Sequence, residues 1–241
     1  MIEAVSAQAP PLRGPHLMRQ QWCDVTFLHW AVAPEAVADR FPPGVAPDVL
    51  DGCTYVGLIA FRMVGAGLGD GPAVPWLGTF LETNVRLYSV DRHGRRGIVF
   101  LSLDANRAAV VAGARAALGL PYRLARMGFR AHGDERAYAA RLRRPHPRAA
   151  GRLAVRVGRH WEQGPLEEFL TARWRLHVAH LGTTLTVANT HEPWPLRRAE
   201  ITLLDDGLVR SVGLGDLAAR APDHVAFSAG VHVTFGRPAR V

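Results

Sequence analysis

The sequence predicts an α+β fold in one domain, on three observations. Most of the chain reads as short runs of β-branched and aromatic residues broken by Gly, Pro and Asp signals. Only a few segments carry a helical signature. Neither an internal repeat nor a Pro/Gly/Ser-rich linker divides the 241 residues. A chain this long buries roughly 70–75% of its unfolded surface, enough for a sizeable core. Residues 1–17 are expected to be a flexible lead-in to a single domain over 18–241.

Taken in order, Trp22 to Val32 is a strand, and Pro34 to Phe41 a short helix with proline at its start. The Asp51-Gly52 pair signals a turn into Cys53 to Met63, apolar enough for a core strand. Gly65 to Pro75 holds four glycines and two prolines and reads as a loop. Thr79 to Val90 and Gly97 to Asp104 pair as a hairpin around Asp91 to Arg96. Arg107 to Leu118 is the clearest helix, alanine-rich and ended by Gly119 with Pro121 close behind. Two or three short strands follow to Val157, then a helical turn or two over Pro165 to Thr171. Arg173 to Phe235 reads as strands with turns at Gly182 and Asp205-Asp206-Gly207.

Every one of the 29 basic side chains is arginine. An Ala-, Arg- and Gly-rich composition is what a GC-rich genome produces, yet the chemical exclusion holds whatever the cause. A guanidinium stays charged in any protein environment, so Schiff-base chemistry, Walker-type ATPases and protein kinases are poor readings. The net charge of +8 is local: eleven arginines lie between Arg123 and Arg159 against Asp134 and Glu135, and the rest of the chain balances to −1. Arg152 and Arg156 alternate with Leu153, Val155 and Val157, the pattern of a strand with one wet face, which is favoured here over an anion-binding surface. Few stacking aromatics and no recognition motif accompany them, so no nucleic-acid partner is expected.

No apolar run is long enough to span a bilayer, and the first fifteen residues lack a basic end followed by an apolar stretch. No membrane partner is expected, and a cytoplasmic location is the reading. Cys23 and Cys53 read as small buried hydrophobes rather than a disulfide. The sequence is compatible with a homo-oligomer.

The most loaded segment is Glu82-Thr83-Asn84-Val85-Arg86-Leu87-Tyr88. Period two puts Glu82, Asn84, Arg86 and Tyr88 on one face and Thr83, Val85 and Leu87 on the other. That polar face is either the outer side of an edge strand or the lining of a polar cavity. A cavity favours Glu82 paired with Arg86, or Arg86 held free to clamp a carboxylate through two parallel hydrogen bonds. Other motifs fail on context. Gly65-Ala66-Gly67-Leu68-Gly69 lacks a strand-to-helix setting, and Ser228 is followed by an alternating strand where a nucleophile elbow needs a helix. His191-Glu192 runs into Pro193. His177, His180 and His191 are weak metal candidates without a clear carboxylate partner, and no metal or other cofactor is expected.

Five blocks carry a resemblance that pattern alone does not supply: His29-Trp30 with Pro34-Glu35; Phe80 through Tyr88; Ser102-Leu103-Asp104-Ala105; Ala114-Arg115 through Leu120-Pro121-Tyr122; and Phe169-Leu170-Thr171 with His191 through Leu196. In these the chain resembles the bacterial YqjF-like family, domain of unknown function 2071. It departs from that pattern at Ala172-Arg173-Trp174 and at Asn189-Thr190. The layout is more distantly similar to acetoacetate decarboxylase, which implies a curved antiparallel sheet closing into a cone or barrel around a polar cavity, with a few flanking helices.

That enzyme works through a lysine after a Gly-x-Pro turn. Here Gly119-Leu120-Pro121 is followed by Tyr122 and Arg123, so imine-dependent decarboxylation is ruled out. The resemblance implies Glu82 and Tyr122 as catalytic groups, with Tyr122 an acid, a hydrogen-bond donor or, beside a guanidinium, a base. Arg86, Arg123, Asn84, His191 and Trp194 form the expected substrate-binding set. As an enzyme the chain would be a lysine-independent lyase, isomerase or cyclase acting on a small carbonyl or carboxylate compound. As a binding module it would hold a small acid unchanged. In a third reading Asn84, Arg86 and Trp194 lock the sheet, with Arg86 bonding backbone carbonyls.

Overall fold

The central strands are apolar on both of their faces because one wall of the sheet is covered on its two sides by different parts of the same chain. The computed structural model describes residues 1–143, 149–215 and 217–241. Among these, one twelve-stranded sheet is built from β1 (Met18–Val32), β2 (Val45–Pro47), β3 (Thr54–Leu68), β4 (Phe80–Asp91), β5 (Arg96–Ala105) and β6 (Tyr122–His132), followed by β7 (Glu135–Leu142), β8 (Ala150–His160), β9 (Arg175–His180), β10 (Thr183–Thr190), β11 (Leu196–Asp206) and β12 (His224–Arg240). Helices α1 (Ala108–Leu118), α2 (Pro165–Thr171) and α3 (Leu208–Ser211) lie between them.

The strand order is β10-β9-β5-β6-β7-β8-β11-β12-β1-β3-β4-β2, with β4 also paired to β5 and β10 to β12, so the sheet curves partly into a ring. The sheet is mixed where an antiparallel one was expected. β5 runs parallel to β6 and to β9, and the β5–β6 connection carries α1, the crossover that parallel neighbours need. Strands β12, β1, β3, β4 and β5 form the wall. On one side Phe27, Ile59, Phe61, Tyr88 and Leu103 pack with Phe169, Leu170, Leu176 and Val187 of α2, β9 and β10. On the other, Leu28, Trp30, Leu58, Val85 and Leu87 meet Tyr138, Leu153, Val155 and Leu208. A strand covered on both faces needs a near-continuous apolar run, which Tyr55 to Phe61 supplies.

Several boundaries move. β1 begins at Met18, ahead of the expected Trp22, and β3 continues through Leu68 into the segment read as a loop. Pro34 to Phe41 is two 3₁₀ turns rather than one helix. Gly119 ends α1 in the left-handed region, φ 66°, as its place predicts. The lead-in residues are tied to the sheet. The Glu3 carboxylate accepts from the Arg96 backbone N–H at 3.1 Å and from Arg175 at 2.8 Å, and the Ser6 carbonyl accepts from Trp174 Nε1 at 3.0 Å. The wet face of β8 is as expected, with Arg152 and Arg156 reaching across to Asp205 and Glu200 of β11. Cys23 and Cys53 are unpaired and partly buried. Among the described residues no helix is long and apolar enough to cross a membrane.

Candidate functional site

β4 is paired on both sides, by β3 and β5, so its polar face is not the outside of an edge strand. Glu82, Asn84, Arg86 and Tyr88 look toward α2, β9 and β10 and are all buried. Glu82 is 3% exposed, and no ion pair includes it among the described residues. Instead the Tyr122 hydroxyl donates to Oε2 at 2.7 Å and the Asn84 amide to Oε1 at 3.4 Å. Burial pushes the Glu82 carboxyl up to about 7, against the downward pull of those two donors, with the charge of Asp104 adding to the rise. The Asn84 Oδ1 atom is enclosed without a hydrogen-bond partner among the described residues.

The geometry corrects two expectations. Successive residues of a strand point to opposite faces, so Tyr122 and Arg123 cannot act on one ligand from the same side. Arg123 lies on the α3 side, bidentate to Asp104 (Nε to Oδ1 2.6 Å, Nη2 to Oδ2 2.9 Å) and bonded to Ser211 Oγ at 2.9 Å. Tyr122 therefore has a carboxyl, not a guanidinium, as its neighbour. Burial and the Glu82 charge push its phenol well above the ordinary value, which makes it a donor and not a base.

Arg86 does not pair with Glu82. Its Nε and Nη2 donate to the Tyr88 hydroxyl at 3.2 and 3.0 Å, and Nη2 also to the Leu170 carbonyl at 3.2 Å. Nη1 makes no hydrogen bond among the described residues. The Tyr88 hydroxyl lies 2.6 Å from His29 Nε2, and His29 Nδ1 lies 2.9 Å from His224 Nδ1. One ring must donate and the other accept across that contact, which requires a neutral nitrogen on at least one side. Burial holds His29 well below the usual imidazole range and His224 at about 4. Gly57 makes room for this chain, since a Cβ there would lie 3.2 Å from both Arg86 Cγ and His29 Cδ2.

His191 and Trp194 join the same side through an aromatic cluster. Trp194 stacks on Trp22 at 5.9 Å and meets Phe27 edge-on at 5.1 Å, and the His191 ring sits 4.5 Å from Trp174 and 5.0 Å from Trp194. His191 Nδ1 is 2.7 Å from the Glu192 carbonyl, so Nδ1 carries the proton and Nε2 keeps its lone pair. Burial lowers His191 to about 4.

Trp194 Nε1 donates to the Thr171 carbonyl at 3.2 Å, and Arg173 Nε to the Phe169 carbonyl at 2.6 Å. Three consecutive carbonyls at the end of α2 thus accept from side chains outside the helix, Phe169 from Arg173, Leu170 from Arg86 and Tyr88, and Thr171 from Trp194. Arg173 is itself paired to Asp48 at 2.5 Å. His29, Tyr88, His224, Arg173 and Asp48 were not among the expected site residues. Tyr88 and His29 stood inside the motif blocks, whereas nothing local to His224 or Asp48 marks them. Among the described residues no group of three or more His, Cys, Asp or Glu side chains gathers as metal ligands, His177, His180 and His191 included.

The fold is that of acetoacetate decarboxylase-like proteins. The chain aligns with the acetoacetate decarboxylase-like enzyme of Sphingomonas wittichii RW1 at a TM-score of 0.65 and 14% identity, over 95% of this chain and 94% of the other. The acetoacetate decarboxylase of Legionella pneumophila gives 0.63 and 14% over 97% and 91%, and the enduracididine biosynthesis enzyme MppR 0.63 and 17% over 95% and 88%. Within that fold the chain belongs to the family described as uncharacterized conserved protein, domain of unknown function 2071, whose model matches residues 19–232. The uncharacterized protein YqjF of Bacillus subtilis (strain 168) is 32% identical over 190 residues, 78% of each chain.

Proposed function

We propose that the protein binds a small carbonyl or carboxylate compound against the polar face of β4 and moves a proton on it, as a lysine-independent lyase, isomerase or cyclase. The observation that carries this reading is Glu82, a buried carboxyl with neutral hydrogen-bond partners whose proton is held at about pH 7. A general acid or base works best when its pKa lies near the operating pH, and burial beside neutral donors is a common way to bring a carboxyl there. Glu82 takes or returns a proton at the carbon next to a carbonyl, and Tyr122 holds the carboxyl in place. Arg86 offers Nη1 to the carboxylate, with His191 and Trp194 beside it. MppR has been crystallised with pyruvate and with the condensation product of pyruvate and imidazole 4-carboxaldehyde, and small oxo acids are the class to try first.

A second reading is a non-catalytic acid-binding protein, while the bonds of Arg86 and Trp194 to the α2 carbonyls support a part for those two side chains in locking the sheet. Deuterium exchange separates the two. With pyruvate and acetoacetate in D₂O, proton NMR is expected to show exchange at the carbon next to the carbonyl that Glu82→Gln abolishes. Exchange that persists at the wild-type rate in Glu82→Gln sinks the catalytic assignment. Saturable binding with no exchange supports the binding protein.

A further inference from the structure

A line of polar side chains runs beneath α2, from the Arg86 end of the β4 face toward the start of that helix. It begins at the Tyr88 hydroxyl, passes through His29 and His224, and ends at Glu167. The sheet brings these groups together. His29 and His224 are direct partners in the β1–β12 register, and Gly57 of β3 leaves the space that the His29 ring occupies. Trp161 stacks on His224 at 5.1 Å, and both histidines are buried, His29 completely. Burial keeps both rings neutral at pH 7, so each has one N–H and one lone pair.

The same heavy atoms support two complete sets of proton positions. The Tyr88 hydrogen has two acceptors in reach, His29 Nε2 at 2.6 Å and the Leu170 carbonyl at 3.0 Å, and serves one at a time. Turned to His29, it leaves the Tyr88 oxygen to accept from Arg86 Nε and Nη2. His29 Nδ1–H then donates to His224 Nδ1 across 2.9 Å, and His224 presents Nε2–H to Glu167. Turned to Leu170, it requires His29 Nε2–H to donate to the Tyr88 oxygen and His224 Nδ1–H to donate to His29 Nδ1. Arg86 Nη2 has the same carbonyl at 3.2 Å as its other acceptor, so the Tyr88 oxygen is never overfilled. The two sets are related by one proton shifting along each bond, with one entering at Tyr88 and one leaving at Glu167. Imidazoles pass protons in this way without moving themselves.

The far end meets solvent through a carboxylate. His224 Nε2 is enclosed without a hydrogen-bond partner among the described residues, and Glu167 Oε1 lies 3.8 Å from it. Glu167 Oε2 accepts from the Gly164 N–H at 2.7 Å, which anchors the group, while Oε1 makes no hydrogen bond among the described residues. A small turn of the carboxylate closes the gap. The Glu167 side chain is 10% exposed against 1% for His224, so water reaches the line at this end.

We propose that Glu167, His224, His29 and Tyr88 form a proton path between solvent and the Arg86 end of the β4 face. It complements Glu82. When Glu82 returns its proton to the carbon of an enol held at Arg86, the C=C electron pair forms the new C–H bond and the O–H pair re-forms the carbonyl. The proton of that oxygen passes to Tyr88 as Tyr88 gives its hydrogen to His29, His29 to His224 and His224 to Glu167, which releases it to water. In reverse, the same groups supply the oxygen with a proton during enolisation. Each ring is neutral before and after. Only the identity of the ligand oxygen rests on the chemistry proposed for Glu82; the path is a property of the unliganded chain.

Proton NMR of the full chain with nitrogen-15 histidine tests it. A coupling between His29 Nδ1 and His224 Nδ1 is expected, since they share one hydrogen. In the wild type that hydrogen should exchange with water at least about tenfold faster than in Glu167→Gln. Glu167→Gln keeps the α2 cap through its amide oxygen, and thermal unfolding checks that it is equally folded. Glu168→Gln, which removes a neighbouring carboxylate outside the path, is expected to exchange as the wild type does. Exchange as fast or faster in Glu167→Gln overturns the path, as does an absent coupling or wild-type exchange no faster than global unfolding. With pyruvate in D₂O, Glu167→Gln should lower kcat for carbon exchange several-fold at an unchanged KM, whereas Glu82→Gln abolishes it. Unaltered carbon exchange in Glu167→Gln overturns the part of the path in the reaction. No carbon exchange in the wild type, together with Glu167-dependent exchange of the histidine hydrogen, would remove the proposed chemistry and leave the path standing.

Discussion

Two buried carboxyls on opposite faces of the wall, Asp104 and Glu82, are held in opposite ways. Asp104, on the α3 side, is held by the two-pronged bond from Arg123, and Glu82, on the α2 side, by a phenol and an amide. Both are almost fully enclosed, at 1% and 3% exposure. Depth therefore does not decide the chemistry. A guanidinium keeps a carboxylate charged and inert, whereas neutral donors leave a proton free to come and go near neutrality.

The largest test of this contrast removes the cation. Arg123→Ala is expected to cost about 3–5 kcal/mol in urea unfolding, the usual result of breaking a buried pair from one side. Glu82→Gln at pH 8 is expected to be neutral or stabilising. Equal costs for the two would dissolve the distinction.

Titration sharpens it next. The folded state holds the Glu82 proton more tightly than the unfolded chain, at about 7 against 4.5. Its contribution to stability is present below pH 4.5 and is lost as pH rises through 7, about 3 kcal/mol in all. The buried histidines have the opposite sign. His177, His191 and His224 are lowered to about 4, so their contribution is present above pH 6.5 and lost as pH falls toward 4. Stability of Glu82→Gln relative to wild type, followed by thermal unfolding, is therefore expected to climb between pH 5 and 8. A flat difference would mean that Glu82 is not shifted.

Tyr122→Phe is a smaller change. Losing a hydrogen bond to a carboxylate costs about 2 kcal/mol at pH 8 and less at pH 5, and Glu82 should move further upward in a carbon-13 carboxyl titration. The smallest effect belongs to the wet face of β8. Arg152→Ala should change stability by less than about 1 kcal/mol and by less still in high salt, because the Arg152–Asp205 pair is exposed on both partners.

The polar face of β4 was legible because alternation survives in any strand, and α1 because Gly119 and Pro121 punctuate it. The same alternation already separates Tyr122 from Arg123. That parity was in the sequence, and the resemblance to a lysine enzyme obscured it. What pattern could not show is pairing over distance. His29 meets His224 only through the β1–β12 register, in which they are direct partners. The bonds of Arg86, Arg173 and Trp194 to the end of α2 depend on where a short helix docks. The parallel pairs of β5 depend on α1 acting as a crossover, although strand periodicity is the same in either direction.

β12 pairs with β1, β10 and β11, all of which precede it in sequence. A ribosome therefore delivers every partner first, and the wall waits for this strand with an open edge along β1. Such a chain gathers its most distant contacts last, which slows folding and leaves unpaired strands exposed to other nascent chains in the interval. Recombinant yield should therefore respond to slower synthesis or to chaperones more than the stability of the finished protein would lead one to expect.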